Sequence, residues 1–189
     1  MKYTIDKKEK KMLAFIGILL LILLISLFFD QSISDFFSET RNSFISLLLM
    51  WSESVFFGGV ILILLIITTM LHHVRNYYKN IPPMWISFIL TFVVTVFLKF
   101  IVGRSRPVDF DMLNGFFSYS FPSLHVALCF SVVPFINEKL KLTKIFWILF
   151  GILIGAARIY LNVHYLSDVI AGIALGVFIG YIVEKRKFA

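Results

Sequence analysis

The segment from Arg158 to Asp168 reads R-I-Y-L-N-V-H-Y-L-S-D and joins two long apolar runs. A charged side chain near a membrane interior costs about 2.5–3.5 kcal/mol on insertion scales, so such residues usually mark function. His164 and Asp168 are four residues apart, which predicts that they share a helix face, where the carboxylate fixes the tautomer of the imidazole and favours its charged form. A structural Asp–His pair, with an arginine that reaches to the headgroups, is the alternative for this segment alone.

The composition around this segment is that of an integral membrane protein. Of the 189 residues, 59% are hydrophobic and 15% are charged, whereas soluble domains carry about 25% charged residues. Crossing the hydrocarbon takes about 20 apolar residues. Six such runs occur, at about 12–29, 54–71, 84–101, 121–137, 144–161 and 164–183. The expected fold is all-α, a single domain over residues 1–189 that forms a six-transmembrane helix bundle.

Charge sets the expected orientation, because cytoplasmic flanks carry an excess of Lys and Arg. Most of the 18 basic residues lie in the termini and in the loops on the same side, so both termini are expected in the cytoplasm. His72 and His73 lie on this side and are expected to anchor at the membrane interface. The first run, Leu13 to Phe29, exceeds the ~7–15-residue core of a signal peptide, so a retained anchor helix is expected.

The segment from Gln31 to Met50 separates the first two runs. Its apolar residues recur near helical spacing with charged residues between them, which is typical of an amphipathic helix in the membrane interface. We interpret it as an interfacial amphipathic linker, with a gate for lipid entry as the alternative.

The segment K-F-I-V-G-R-S-R-P, from Lys99 to Pro107, carries cations to the outer face. Lys99 and Arg106 are two helical turns apart and share a face if the helix persists. Gly103 and Pro107 predict instead that the helix frays before Arg106. For Arg104 the sequence gives no further indication of a role in the site, and we expect its side chain to touch only lipid headgroups.

The tetrapeptide P-S-L-H, at 122–125, opens the fourth apolar run. Proline is well tolerated early in a helix, and a helix N-terminus binds anions through its free N–H groups. His125 is close enough in sequence to act on the same anion. Besides Arg104, the three segments together supply three cations, two imidazoles and a carboxylate, which is what binding and cleaving a phosphate ester requires.

These residues resemble the signature of the type 2 phosphatidic acid phosphatase superfamily, which reads K-x6-R-P, then P-S-G-H, then S-R-x5-H-x3-D. The first part is matched by Lys99, Arg106 and Pro107. The second is matched by Pro122, Ser123 and His125, with Leu124 in place of glycine. The third is matched by Arg158, His164 and Asp168, with Ala157 in place of serine. The resemblance covers about residues 99–168.

The resemblance implies a membrane lipid phosphatase that forms a phosphohistidine. It implies that His164 attacks phosphorus, that Asp168 orients it and that His125 protonates the leaving oxygen. The phosphoryl oxygens would be held by Lys99, Arg106, Ser123, Leu124 and Arg158. Leu124 would act through its backbone N–H. Its side chain, which is larger than the glycine of the signature, would either loosen the pocket or point into lipid. No metal or other cofactor is expected, and Asp109 and Asp111 are interpreted as a solvated loop.

The expected substrate is a lipid phosphomonoester or diphosphate, with undecaprenyl diphosphate as the first choice and phosphatidylglycerophosphate or phosphatidic acid as alternatives. The expected location is the cell membrane, with the site on the extracytoplasmic face. The net charge of +7 belongs to the basic cytoplasmic flank, so no nucleic-acid partner is expected. A non-catalytic transporter of lipid phosphates and a His-ligated haem bundle are the alternatives from other classes. The oligomeric state stays open.

Overall fold

The computed structural model describes residues 7–51, 56–107 and 118–186. Its regular structure over these ranges is helical, without strands. The α-helices are α1 (Lys7–Leu27), α2 (Asp30–Thr40), α3 (Ser43–Trp51), α4 (Phe56–Val74), α5 (Ile81–Val102), α6 (Leu124–Val132), α7 (Lys141–Tyr160) and α8 (Leu166–Lys185). The expectation of an all-α fold is confirmed for the part of the chain that the structure describes.

Four helical segments of the described ranges are long and apolar enough to cross a membrane. They are Lys10–Leu27, Tyr78–Val102, Glu138–Tyr160 and Leu166–Lys185. The other two predicted spans overlap shorter apolar helices, Gly58–Val74 and Leu124–Phe135. The latter is short because α6 gives way to a single 3₁₀ turn that contains Pro134, and proline removes a backbone donor that a continuing α-helix needs.

Helix α6 lies at the centre of the bundle. All of its residues except His125 are buried, and it packs against α5, α7 and α8. Cys129 is fully buried in this core, which also includes Ile154 and Trp147. A helix that is apolar on every side belongs in the interior of a bundle, and the sequence of α6 has that character.

Helix α8 meets α6 along three glycines spaced four residues apart: Gly172, Gly176 and Gly180. A Cβ atom added at Gly176 would stand 2.3 Å from the backbone carbonyl oxygen of Ala127, and one at Gly172 would stand 2.7 Å from that of Ser123. Small residues at such spacing let membrane helices approach closely. The glycines therefore set the distance between the N-terminal ends of α6 and α8, where the predicted site residues lie.

The polar side chains of α4 are not arranged as expected. His72 is fully buried, with Nδ1 2.8 Å from the Thr68 carbonyl oxygen and Nε2 3.2 Å from that of Phe135. Interface anchoring is therefore wrong for His72, because its ring links α4 to the end of the α6 segment. His73 is exposed and packs edge-on against the Tyr78 ring.

The segment predicted as one amphipathic helix forms two, α2 and α3. The inward face of α2 is partly polar: Ser34 is buried, whereas Phe36 is 57% exposed. Phe37 packs edge-on against the Tyr160 ring of α7, with the ring centroids 5.5 Å apart. The Asn162 side-chain amide donates to the Ser34 carbonyl oxygen at 3.1 Å and to the Ser38 hydroxyl at 2.6 Å. Helix α2 thus lies on the turn between α7 and α8, beside the predicted site.

Candidate active site

The turn between α7 and α8 carries the first group of predicted site residues. Asn162 has φ +59°, a left-handed conformation that asparagine tolerates better than most residues, and this reverses the chain between the two helices. His164 precedes α8 instead of lying on it, so the predicted shared helix face is wrong. The contact forms because the Asp168 carboxylate folds back over the helix N-terminus, as in a capping box. Its Oδ2 accepts from the Tyr165 backbone N–H at 2.9 Å and lies 3.4 Å from His164 Nδ1.

Lys99 enters the site from the last turn of α5. The helix ends at Val102 and Gly103 follows in a left-handed conformation with φ +59°, the usual glycine stop. The Lys99 side chain is 2% exposed. Its Nζ donates to the backbone carbonyl oxygens of Tyr119 at 2.5 Å and Ser120 at 3.2 Å, so the ammonium is held at the start of the chain that leads to α6.

Arg106 lies beyond the end of α5, as the fraying prediction required. Its Nε donates to the Ser118 carbonyl oxygen at 3.2 Å and its Nη1 to the Val163 carbonyl oxygen at 2.9 Å. The second bond joins the loop after α5 to the turn that contains His164. Tertiary contacts, and not a common helix face, therefore bring Arg106 into the site.

The N-terminus of α6 faces the N-terminus of α8. Ser123 is the N-cap residue of α6, and its backbone N–H donates to the Asp168 carbonyl oxygen at 3.0 Å. The Ser123 hydroxyl is buried and has no hydrogen-bond partner among the described residues. Leu124 is 7% exposed and belongs to the apolar core, so of the two alternatives for its side chain, the one in which it points into lipid is wrong.

His125 and Arg158 form a direct pair between α6 and α7. Arg158 Nη2 lies 2.9 Å from His125 Nδ1. A guanidinium only donates hydrogen bonds, so Nδ1 accepts, and in the neutral ring the proton resides on Nε2. His125 lies close enough to four other charged or ionisable groups to interact with them electrostatically: Arg158, His164, Lys99 and Arg106. The site residues predicted from three separate segments thus converge in one cluster.

Arg104 also belongs to this cluster, and the prediction that it touches only headgroups is wrong. Its Nη1 donates to Asp168 Oδ1 at 2.9 Å and its Nη2 to Asp30 Oδ2 at 2.8 Å. Its guanidinium carbon lies 4.0 Å from the centroid of the Tyr165 ring. The available signal was its place between Lys99 and Arg106, in a segment that carries three cations at the end of an apolar run. Asp30 was missed because its partners lie 74 and 137 residues away in the chain.

His164 lies in the turn, outside the helical segments that are long enough to cross a membrane. Burial lowers the pKa of its imidazole well below the ordinary value of 6.5, and the charges of Arg106, Lys99 and Arg158 lower it further. The ring is therefore neutral at physiological pH and keeps the lone pair that a nucleophile needs. Asp109 and Asp111 lie outside the described residues.

Comparison with known sequences identifies the family. The PAP2 superfamily signature matches residues 60–187, which is more than half of the chain. Phosphatidylglycerophosphatase B of Bacillus subtilis is 34% identical over 98 residues, which cover 46% of this chain and 48% of that protein. An undecaprenyl-diphosphatase of Sulfolobus acidocaldarius is 27% identical over 117 residues, which cover 56% of each. The chain thus spans about half the length of the curated relatives that it matches.

Two crystal structures have the same fold. The transmembrane PAP2-type phosphatidylglycerolphosphate phosphatase from Bacillus subtilis aligns with a TM-score of 0.65 at 23% identity, over 90% of this chain and 94% of that one. Aquifex aeolicus LpxE aligns with a TM-score of 0.63 at 25% identity, over 83% of this chain and 95% of that one. The family resemblance predicted from the three segments is confirmed: this membrane protein belongs to the PAP2 superfamily.

Proposed function

We propose that the protein is a lipid phosphatase that transfers the phosphoryl group of a lipid phosphomonoester or diphosphate to His164 and then to water. The observation that carries this proposal is the convergence of two imidazoles, Asp168 and the cations Lys99, Arg106 and Arg158. Phosphoryl transfer spreads negative charge over the equatorial oxygens, so preorganised cations stabilise its transition state. The same charges make the proposed reaction independent of a metal ion.

In the first step the Nε2 atom of His164 attacks phosphorus while the bond from phosphorus to the lipid oxygen breaks. The 3.4 Å contact of Nδ1 with Asp168 supports this choice of ring nitrogen. The departing oxygen takes the Nε2 proton of His125, which enters this step as an imidazolium, favoured by the negative charge of the bound phosphate, and is left as a neutral ring. Arg158, which bonds Nδ1 in the absence of substrate, would then bond a phosphoryl oxygen instead. In the second step His125 removes a proton from water, the water oxygen attacks the phosphohistidine, and phosphate leaves with His164 regenerated.

The N-terminus of α6 completes the proposed anion site. The first backbone N–H groups of a helix have no intrahelical partners, and they bind anions together with the helix dipole. The buried Ser123 hydroxyl, which has no partner among the described residues, supports a role in holding a phosphoryl oxygen. The core takes up the Leu124 side chain, so its bulk is compatible with a phosphate bound at its backbone N–H.

A lipid substrate is supported by an apolar cavity of about 290 Å³ between α1, α5 and α8. Its wall includes Leu98 and Pro122, the chain neighbours of Lys99 and Ser123. A hydrocarbon tail in this cavity would begin beside the phosphate site. We propose undecaprenyl diphosphate as the first substrate, with phosphatidylglycerophosphate or phosphatidic acid as alternatives. Of the two curated relatives described above, one is named as a phosphatidylglycerophosphatase and the other as an undecaprenyl-diphosphatase.

The proposed topology has six spans, both termini in the cytoplasm and the site at the extracytoplasmic face. Its support is the concentration of basic residues in the termini and in the loops of one side. Helices α2 and α3 would lie in the outer interface, next to the turn between α7 and α8. The whole chain would then act as a single phosphatase domain.

A panel of lipid phosphates tests the proposed function. We expect the purified protein to release phosphate from at least one of undecaprenyl diphosphate, phosphatidylglycerophosphate and phosphatidic acid, at the same rate with and without EDTA. Released phosphate is measured colorimetrically against protein-free micelles. If no phosphate is released from any of these lipids, the proposed phosphatase activity is refuted. Flux of labelled lipid phosphate across vesicles without release would instead favour the transporter.

The pH dependence of kcat/KM tests the state of His164. This parameter reports groups of the free enzyme, and the active form of His164 is the neutral one. Because its folded pKa is lowered, the neutral form persists as the pH falls through 6.5, and we expect the acid limb to lie below that value. Arg106→Gln removes one of the cations that lower the pKa of His164, so the acid limb of the kcat/KM profile of this variant should move to higher pH. The substrate ionises identically in both assays, and an unshifted limb contradicts the assignment.

A further inference from the structure

We infer that Asp30, at the start of α2, is a positioning residue of this site: it holds Arg104 against Asp168 and thereby sets the orientation of His164. The inference rests on the proposed function, because it concerns how the nucleophile of that reaction is held. It adds a residue from outside the part of the chain that matches the family, since the match begins at residue 60.

Asp30 is buried among groups of the active site. Its side chain is 5% exposed. Oδ2 accepts from Arg104 Nη2 at 2.8 Å and also from the Ser167 hydroxyl, while Oδ1 accepts from the Ser167 backbone N–H at 2.9 Å. A carboxylate is buried at a high desolvation cost unless it is paired and hydrogen-bonded, and each of these partners lies within one residue of Asp168 or bonds to it directly.

Arg104 bridges two carboxylates. One terminal nitrogen of its guanidinium bonds Asp30 and the other bonds Asp168 Oδ1 at 2.9 Å. The rigid fork of a guanidinium gives such pairs a defined geometry. With Oδ1 held by Arg104, the other oxygen of Asp168 is directed to the Tyr165 N–H and to His164 Nδ1. The chain of contacts from α2 to the nucleophile is therefore continuous.

The effect of Asp30 is electrostatic as well as geometric. While Arg104 is shared between two carboxylates, its positive charge is partly balanced by Asp30. Without Asp30 this charge would be less balanced, and the released guanidinium could shift toward the Asp168 oxygen that faces His164 and compete with His164 for it. Asp168 would then orient His164 less well, although the remaining cations of the phosphate site would be unchanged.

Docking of α2 does not depend on Asp30 alone. Asn162 bonds both Ser34 and Ser38 of α2, and Arg41 donates to the Leu161 carbonyl oxygen at 3.1 Å. A variant at Asp30 is therefore expected to keep α2 in place. This separates a positioning role from a purely structural one.

The experiment compares Asp30→Asn with Asp35→Asn, a matched variant on the exposed face of the same helix. We expect Asp30→Asn to lower kcat by about 10-fold to 100-fold, the usual cost of losing a group that orients a reactive one, with KM changed less than about 3-fold because the phosphate-binding cations are intact. Asp35→Asn should match the wild type in both. Unchanged kcat in Asp30→Asn, or a loss confined to KM, overturns the inference.

Arg104→Lys provides a second route if Asp30→Asn folds poorly. Lysine keeps the charge but lacks the fork that bridges both carboxylates, so we expect a similar loss of kcat. The double variant should be no slower than the worse single one, because both break one chain of contacts. Additive losses overturn the inference.

Histidine-selective ¹⁵N spectra make the test independent of turnover. We expect the His164 ring signals, identified by their loss in His164→Gln, to shift in Asp30→Asn and to stay in place in Asp35→Asn. Wild-type protein that releases no phosphate defeats the proposed function and not this linkage. Unshifted His164 signals in Asp30→Asn overturn the linkage whether or not the wild type is active.

Discussion

Replacement of His164 by alanine is expected to reduce phosphate release by about 10⁴-fold or more, because it removes the atom that forms the bond to phosphorus. The fold should be kept, since His164 lies in a turn and not in a helix. The measurement is the steady-state rate on the best lipid of the panel. Because the P–N bond of phosphohistidine is labile in acid, samples are given ³²P-labelled substrate and quenched in SDS at alkaline pH; the wild-type protein should carry label and the variant none.

The matched control is His73→Ala, which removes an exposed imidazole from α4 and should leave the rate unchanged. His125→Ala provides an internal comparison. Loss of a general acid costs about 10²–10⁴-fold, so this variant should be slow and yet still accept label from a substrate with a good leaving group. Phosphate release by His164→Ala at more than a hundredth of the wild-type rate would contradict the nucleophile assignment, and intact lipid flux without release would support a transporter.

Gly176→Val is expected to destabilise the protein by about 3 kcal/mol or more, at the upper end of the usual cost of overpacking. Even the Cβ atom would stand 2.3 Å from the Ala127 carbonyl oxygen and 3.0 Å from the Ser131 backbone nitrogen. These are backbone atoms of α6, so no flexible side chain can move aside and the two helices must separate. The measurement is thermal denaturation in detergent.

The control for this variant is Gly17→Val on α1, where an added Cβ would have no atom of another described helix within 4 Å. That protein should melt close to the wild type. Activity should fall together with stability in Gly176→Val, because the Ser123 N–H to Asp168 carbonyl bond joins the ends of the same two helices. Equal melting of the two variants would contradict the role of the glycines in helix packing.

The helices and the residues of the family signature could be predicted from the sequence for a simple reason. Helix formation by an apolar run depends on residues near one another in the chain, and the segments that begin at Lys99, Pro122 and Arg158 place charges where such runs end. The stop at Gly103 was also readable, because a glycine in a left-handed conformation is a local property. The glycines of α8 were visible at four-residue spacing, but not the helix against which they pack.

The incorrect or missed predictions have a common cause, which is that they concern contacts between residues far apart in the chain. The surroundings of Arg104, Asp30 and His72 are supplied by partners far away in the chain. For helix α2 the amphipathic pattern was visible in the sequence, but the bond of its Ser34 carbonyl oxygen with the Asn162 side chain was not. In a membrane the apolar face of a helix is satisfied by lipid, so a buried contact is free to use the polar face.

The amino-acid sequence by itself determined where apolar helices form and which segments carry the cations, imidazoles and carboxylate of the family signature, because these follow from local composition and spacing. Only the tertiary structure decided which of these groups touch. The close approach of α6 and α8 at their glycines brings Ser123 to Asp168, and the return of α2 onto the turn between α7 and α8 brings Asp30 to Arg104. Contacts of this kind depend on how the helices pack in three dimensions, and the pattern of any single segment does not contain that information.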